Sequence, residues 1–326
     1  MRRGDGFVQC CQCGATYPAS VSGIIEFFGK KTEQNAYFDA AYEAGILQKR
    51  DDQSISPARS YENTYDKAQR YLGWCGLDPA EPVTDLTILD VACGSGWVTA
   101  GLMRNPMVQR CSFHACDISS QGLEMLAKYV ETVESTNAVE MSVQDANQMV
   151  FEDGTFDLVL GSSVLHHFSD VPAFLSKCRK ILKPGGKAVF GEPFAFGYGL
   201  ALGALMVAQR QLGVQYDGID AAYKDIVYRV QHPDQVEILV DKHLFFHSSF
   251  LSMALSAGFS DVTFTSPAPR WFYKDRFIGQ LMAERGVSDP ALLARANEIY
   301  SAFFEVFDAE SYGESVAAFV QVVLQA

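Results

Sequence analysis

Positive charge is scarce in this chain. Its 26 Lys and Arg stand against 39 Asp and Glu, a formal net charge of −13. A surface of that sign repels phosphate backbones, so nucleic acid is not an expected partner. Cysteine is sparse and scattered: the eight thiols, at positions 10, 11, 13, 75, 93, 111, 116 and 178, do not make the dense framework of a small secreted scaffold. Reduced thiols are the expectation. Long apolar runs are missing as well. An uncharged and largely apolar stretch, 193–209, stops at Arg210 and falls short of the ~20 residues that cross a bilayer. It reads as a buried or lid helix. The basic start, Met1-Arg2-Arg3, has no apolar run behind it, so neither a signal peptide nor a membrane anchor is expected, and the location is read as cytoplasmic. No repeat period or low-complexity tract is visible.

What is present is a chain of 326 residues, 48% hydrophobic and 20% charged, enough for one sizeable core with additions. From residue 86 short apolar runs alternate with amphipathic stretches, the texture of βαβ units and a parallel sheet. The runs are 86–91, 111–116, 139–143, 156–160 and 187–191. Helical spacing covers 97–103, 121–133 and 171–182, and Lys183-Pro184-Gly185-Gly186 reads as a helix stop. Further on, 248–257 reads as a helix, 262–265 as a strand and 317–324 as a final buried strand. The expected fold is α/β, a doubly wound, mostly parallel seven-stranded Rossmann-like sheet with helical cap insertions. The expected units are a β segment over 1–30, a helical cap over 31–80, a ligand-binding core over 81–192, a helical lid over 193–247, and the end of the core over 248–326 with a second helical insertion at about 267–316.

The most informative segment is Ile88-Leu89-Asp90-Val91-Ala92-Cys93-Gly94-Ser95-Gly96-Trp97. An apolar strand runs into a glycine turn that opens a helix, and Gly94 and Gly96 allow backbone to approach a ligand closely. A dinucleotide fingerprint would place a third glycine where Thr99 stands, and Asp90 would repel a pyrophosphate. A ligand with a positive end suits that acid better. S-adenosylmethionine (SAM), with its ammonium and sulfonium beside adenosine, is such a ligand. Asp117, 21 residues after Gly96, stands where an acid accepts ribose hydroxyls, or else serves as a helix N-cap acid with Ser119. Asp145 is placed for the adenine amine, or is a surface loop acid.

Taken together, these segments resemble the class I SAM-dependent methyltransferases, in their UbiE-like (methyltransferase type 11) small-molecule branch. Leu89-Asp90-Val91-Ala92-Cys93-Gly94-Ser95-Gly96 is similar to the family's glycine loop, Asp117-Ile118 to its ribose motif and Asp145-Ala146 to its adenine step. Phe156-Asp157-Leu158-Val159-Leu160 and Val164-Leu165-His166-His167-Phe168 are similar to its fourth strand and following turn. Ala92 stands where glycine is commoner. The resemblance implies SAM as cofactor, S-adenosylhomocysteine as product, and cofactor contacts from Asp90, Ala92, Gly94, Ser95, Gly96, Asp117, Ile118, Asp145, Ala146, Ser162 and His167. It covers about residues 60–192 well and 244–265 loosely, and leaves the acceptor open.

Near the start, Cys10, Cys11 and Cys13 with Gly14 and Tyr17-Pro18 resemble half of a zinc ribbon of the Trm112 type. A structural zinc needs four ligands, and no further cysteine follows before Cys75. The expectation is a degenerate ribbon without metal, and no metal site is expected elsewhere.

Methyl transfer to an activated carbon needs mainly alignment and desolvation, with a base only where the acceptor loses a proton. The candidates for that role are His167, His166 and Glu192. The histidines otherwise cap the turn near Asp170, and Glu192 otherwise pairs with a cap residue. Tyr198, Tyr223, His243 and Trp271 are candidate substrate contacts. The aromatic insertions suggest an apolar, polyketide, quinone-like or isoprenoid acceptor, with a sugar or other polar acceptor as the alternative. A dinucleotide oxidoreductase is disfavoured by Asp90 and Thr99, and a non-catalytic partner-binding protein would leave the glycine loop and both acids without purpose. The expected partner is a small-molecule substrate, with homodimerisation open.

Overall fold

The computed structural model describes residues 2–4, 6–11, 13–27, 33–43, 57–232, 241–266, 276–283, 287–309 and 317–326. Its strands are β1 (Arg2–Gly4), β2 (Phe7–Gln9), β3 (Thr16–Pro18), β4 (Ile25–Glu26), β5 (Val83–Thr84), β6 (Thr87–Val91), β7 (Val108–Gln109), β8 (Ser112–Asp117), β9 (Ala138–Val143), β10 (Phe156–Ser162), β11 (Leu182–Pro193), β12 (Asp261–Thr265) and β13 (Phe319–Gln325). Its described helices are α1 (Glu33–Glu43), α2 (Pro57–Trp74), α3 (Trp97–Met103), α4 (Ser120–Val130), α5 (Val171–Ile181), α6 (Ala195–Leu212), α7 (Asp217–Gln231), α8 (His247–Ser256), α9 (Phe277–Ala283) and α10 (Pro290–Ala309).

The central sheet runs β12-β13-β11-β10-β6-β8-β9-β4. All pairings are parallel except those of β13, which is antiparallel to both β11 and β12. Seven of these strands are those read from the sequence. The eighth, β4, corrects the count: two residues from the N-terminal segment pair with Ser142 and Val143 and cover the outer edge of β9. A two-residue edge strand has too little pattern to be read in advance. The segment's remaining strands form a small antiparallel β1-β2-β3 sheet. A second difference lies at β11. Lys183-Pro184-Gly185-Gly186 does not precede this strand but sits inside it, as a bulge between the pairs Phe156–Leu182 and Leu158–Lys187.

Both sheet faces are buried, which explains the continuous apolar runs. Successive side chains of a strand point to opposite faces. Ile88, Leu158, Leu160 and Val189 pack with α2 and α3 through Leu72, Val98 and Leu102. Leu89, Val91, Val159, Ala188 and Phe190 face the other way, onto Phe174, Leu175 and Cys178 of α5. Burying one such side chain contributes roughly 1.5–3 kcal/mol. Helix α5 starts where Asp170 Oδ1 accepts from the Ala173 amide at 2.8 Å, and carries Arg179 and Lys180 in its last turn, matching the helix dipole. Helix α6 takes up most of the uncharged stretch 193–209 and carries Arg210 in its last turn. Among the described residues no helix is long and apolar enough to cross a membrane.

Candidate active site

The first strand of the core, β6, lies between β10 and β8. The crevice at the carboxyl ends of such strands, where the sheet order reverses, is where open α/β sheets bind ligands. A cavity of about 350 Å³ lies there. It is walled by Ala92, Gly94 and Ser95 after β6, by Asp117 and Ile118 after β8, by Asp145, Ala146 and Asn147 after β9, and by Ser162 and His167 after β10.

The glycine loop is held in shape from beneath. Gly94 and Gly96 have φ of +57° and +75°, in the left-handed region that favours glycine. A Cβ on Gly94 would come within 2.6 Å of the Tyr42 hydroxyl, and one on Gly96 within 2.5 Å of Leu126. Ala92 also takes a positive φ, +48°, so the small residue keeps the turn. Asp117 ties this loop to the next: its Oδ2 accepts from the Gly94 amide and its Oδ1 from the Ser119 amide, each at 2.8 Å. Burial raises the Asp117 pKa above the ordinary carboxylate value, and these amide bonds pull it back. Ser119 does not cap α4 with its side chain; its hydroxyl donates to Asp39 at 2.6 Å.

Two residues expected at the cofactor do not line the cavity. Gly96 is packed under α4 and serves the turn alone. Asp90 shares its sheet face with Ile88, so its carboxylate points under α3, where Oδ2 accepts from the Thr99 amide at 3.1 Å and hydroxyl at 2.7 Å. It anchors the helix that follows the loop. Desolvation in this 2% exposed position raises its pKa to about 7. A native pKa above the unfolded value near 4 means that the folded chain holds the proton more tightly. The resulting stability is complete below about pH 4 and is lost as the pH rises through about 7. Asp90→Asn, which still offers Thr99 an acceptor, removes this dependence. Urea unfolding at pH 5 and pH 8 is expected to show wild type losing ~2–4 kcal/mol more than the variant across that interval; equal losses contradict the assignment.

Glu192 is fully buried and committed to the protein. Its Oε1 accepts from the Val164 and Leu165 amides at 3.0 and 2.8 Å, and its Oε2 contacts the His166 amide at 3.2 Å and His166 Nδ1 at 2.7 Å. It therefore organises the turn after β10 and does not reach either cavity. Buried acids in such turns are hard to tell from substrate-binding acids by sequence.

A second cavity, about 140 Å³, lies beside the first and shares Ser163 and Asp241 with it. Leu202, Ile226, Leu281, Met282 and Phe319 give it an apolar side, Asp225, Arg229, Asp241, His166 and His243 a polar and charged one, and Tyr198 lines it too. His243 Nε2 lies 2.9 Å from the Phe168 carbonyl. Tyr223 is exposed on α7 and reaches neither cavity, because its helical position faces outward. Trp271 lies outside the described residues. Where the cavities meet, Asp241 Oδ1 is 3.2 Å from His167 Nδ1 and 3.8 Å from His166 Nε2. The His167 hydrogen bond, helped by the nearby His166 and Arg229, holds the Asp241 pKa well below the ordinary range.

Several wall residues gave no sequence signal. Asp241 is an isolated loop acid. Asn147, which lines the cavity, brings a buried Oδ1 that has no hydrogen-bond partner. Helix α1 roofs the cavity with Gln34, Tyr37, Phe38 and Tyr42, and is tied down by Asn35 Nδ2 to the Ile118 carbonyl at 2.9 Å and Gln34 Nε2 to the His167 carbonyl at 3.3 Å. Its helical character was legible, but not the distant loops it covers.

Residues 89–190 match the methyltransferase domain family. A ubiquinone biosynthesis O-methyltransferase of Chelativorans sp. is 32% identical over 114 residues, 34% of this chain and 42% of that protein. A highly reducing polyketide synthase of Aspergillus sclerotiorum is 28% identical over 113 residues, 33% of this chain and 4% of its own. The match thus spans about two fifths of the O-methyltransferase's length. Among solved structures, a chain of a complex between the Haloferax volcanii Trm112 methyltransferase activator and a methyltransferase superposes with a TM-score of 0.51 at 17% identity, covering 89% of this chain and 97% of that one. That similarity concerns the fold. The glycine loop, the acids after β8 and β9 and the reversal at β6 define a nucleoside-binding α/β core. That core is a class I SAM-dependent methyltransferase domain of the UbiE-like type.

The residues present fit the cofactor of that class. The Gly94 position leaves no room for a side chain, Asp117 offers acceptors at the ribose position, and the partnerless Asn147 Oδ1 asks for a donor such as an adenine amine.

Proposed function

We propose that the chain moves a methyl group from SAM to a hydroxyl of an apolar small molecule. The observation that carries this reading is the pair of joined cavities: one with the polar features of a nucleoside site, the other with an apolar side of Leu202, Ile226, Leu281, Met282 and Phe319 opposite a charged one, meeting at Ser163, Asp241 and the two histidines. In this reading Asp117 holds the ribose hydroxyls, Asp145 and Asn147 receive the adenine edge, and the backbone at Ala92, Gly94 and Ser95 takes the amino-acid end. Ile118, Ala146 and Ser162 complete the wall. SAM supplies a methyl carbon already activated by its sulfonium. The protein aligns the acceptor oxygen with it and keeps water out, and the apolar side of the second cavity and the α1 roof serve those tasks. The acceptor's O–H bond breaks with its proton passing to water, its oxygen forms the new bond to the methyl carbon, the carbon–sulfur bond breaks with its electron pair left on sulfur, and S-adenosylhomocysteine leaves. His166, His167 and Asp241 engage the acceptor oxygen, and Tyr198 and His243 flank it.

The test is incubation of the full chain with isotopically labelled SAM and a panel of phenols, hydroxyquinones, isoprenoid alcohols and sugars. Labelled methyl ethers of the apolar hydroxy compounds are expected by mass spectrometry. Products from sugars or other hydrophilic acceptors alone would reject the apolar acceptor.

A further inference from the structure

The partition between the two cavities has the donor set of a metal centre. We propose that His166, His167 and Asp241 bind a divalent ion of the first transition row, and that this ion holds the acceptor oxygen in the second cavity. The proposal rests on the methyltransferase reading and specifies how that site engages its acceptor. One ligand atom from each of the three residues lies within 4.8 Å of the others, with Asp241 Oδ1 at 3.2 and 3.8 Å from the two ring nitrogens. Donors at ~2.1 Å from one ion in a tetrahedral or octahedral arrangement stand about 3.0–3.4 Å apart. Side-chain adjustments of an ångström or so therefore close the site.

The neighbourhood of His166 points the same way. Glu192 already accepts from three backbone amides, and it fixes the proton of His166 on Nδ1 through the 2.7 Å contact. The opposite nitrogen, Nε2, lies on the side of Asp241, 3.8 Å from its Oδ1 and beyond hydrogen-bond distance. An ion bound there would replace the His167–Asp241 hydrogen bond with bonds from both side chains to the metal. A buried carboxylate behind a histidine, orienting the ring and raising its basicity, is the arrangement that supports metal-binding histidines. Two nitrogens and one oxygen favour Mn, Fe, Co, Ni or Zn over Mg or Ca, which prefer all-oxygen sites. The three ligands leave coordination positions open. His166 and Asp241 line the acceptor cavity, and His167 and Asp241 the donor cavity, so an acceptor hydroxyl on the ion lies next to the methyl position. Its O–H bond breaks with the electron pair left on oxygen and the proton passing to water. Nothing is oxidised or reduced.

The experiment is a titration of the EDTA-stripped full chain with Co²⁺, followed by equilibrium dialysis and visible absorption, with calorimetry of S-adenosylhomocysteine on the same stripped protein. One Co²⁺ per chain is expected, with the weak bands of nitrogen and oxygen ligands. His166→Gln and Asp241→Asn are each expected to raise its Kd about 100-fold. No stoichiometric binding, unchanged binding in both variants, or an intense thiolate band that assigns the ion to Cys10, Cys11 and Cys13 would overturn the proposal. If the variants unfold, pulsed EPR of Mn²⁺-loaded wild type decides: two directly bound histidine nitrogens support the site and none refutes it. Nucleoside binding without ion binding removes the metal and keeps the methyltransferase reading. Ion binding without nucleoside binding does the reverse.

Discussion

Glu192→Ala is expected to cost about 3–5 kcal/mol of folding stability, because a buried carboxylate that satisfies several donors is being deleted from a site water does not reach. The amides of Val164, Leu165 and His166 all lose their acceptor, and the His166 ring loses its partner. Glu192→Gln is expected to rescue little of this, since its amide nitrogen faces donors where one carboxylate oxygen stood. Urea unfolding of the three proteins checks it, and a loss below ~1 kcal/mol for the alanine variant would show that the turn after β10 does not depend on this acid. The same substitution is expected to abolish methyl transfer, as the turn carries both histidines.

Asp117→Ala is the second large effect. It removes the acceptor from the ribose position and also releases the Gly94 amide, so the loop loses its preorganised shape as the ligand loses a partner. Cofactor affinity is expected to fall by about 1–3 kcal/mol, roughly ten- to hundredfold in Kd, toward the upper end because both losses coincide. The burial-raised pKa of Asp117 adds a pH signature. The carboxylate is the better acceptor, so affinity is expected to weaken as the pH falls through this raised value, earlier than for an ordinary aspartate. Titration calorimetry of S-adenosylhomocysteine against both proteins over pH reads the two effects. An unchanged affinity for the alanine variant would remove Asp117 from the site.

Most of the core was legible because its physics is local. The continuous burial of Ile88, Leu89, Leu158, Val159 and Val189 comes from a sheet covered on both faces, and the helix over 97–103 follows from a glycine turn running into apolar helical spacing. The loops that line the cavity were legible for the same reason, since each follows directly from a strand. What escaped were long-range pairings. Asp90 carries a charge that disfavours a pyrophosphate, but its side chain belongs to Thr99, the residue that breaks the dinucleotide fingerprint. The two features are one helix anchor. Glu192 meets its partners 26 to 28 residues away, and Asp241 meets His167 only through the fold. Helix α1 reaches over loops of the core from an N-terminal segment whose strand β4 extends the sheet. No spacing within the chain encodes such meetings.

The most direct measurement of the cofactor assignment is calorimetry of the full-length chain with SAM, S-adenosylhomocysteine and NADH in parallel. Saturable binding of SAM and S-adenosylhomocysteine at one per chain, with no heat from NADH, is the expected result; binding of NADH without binding of SAM would contradict it.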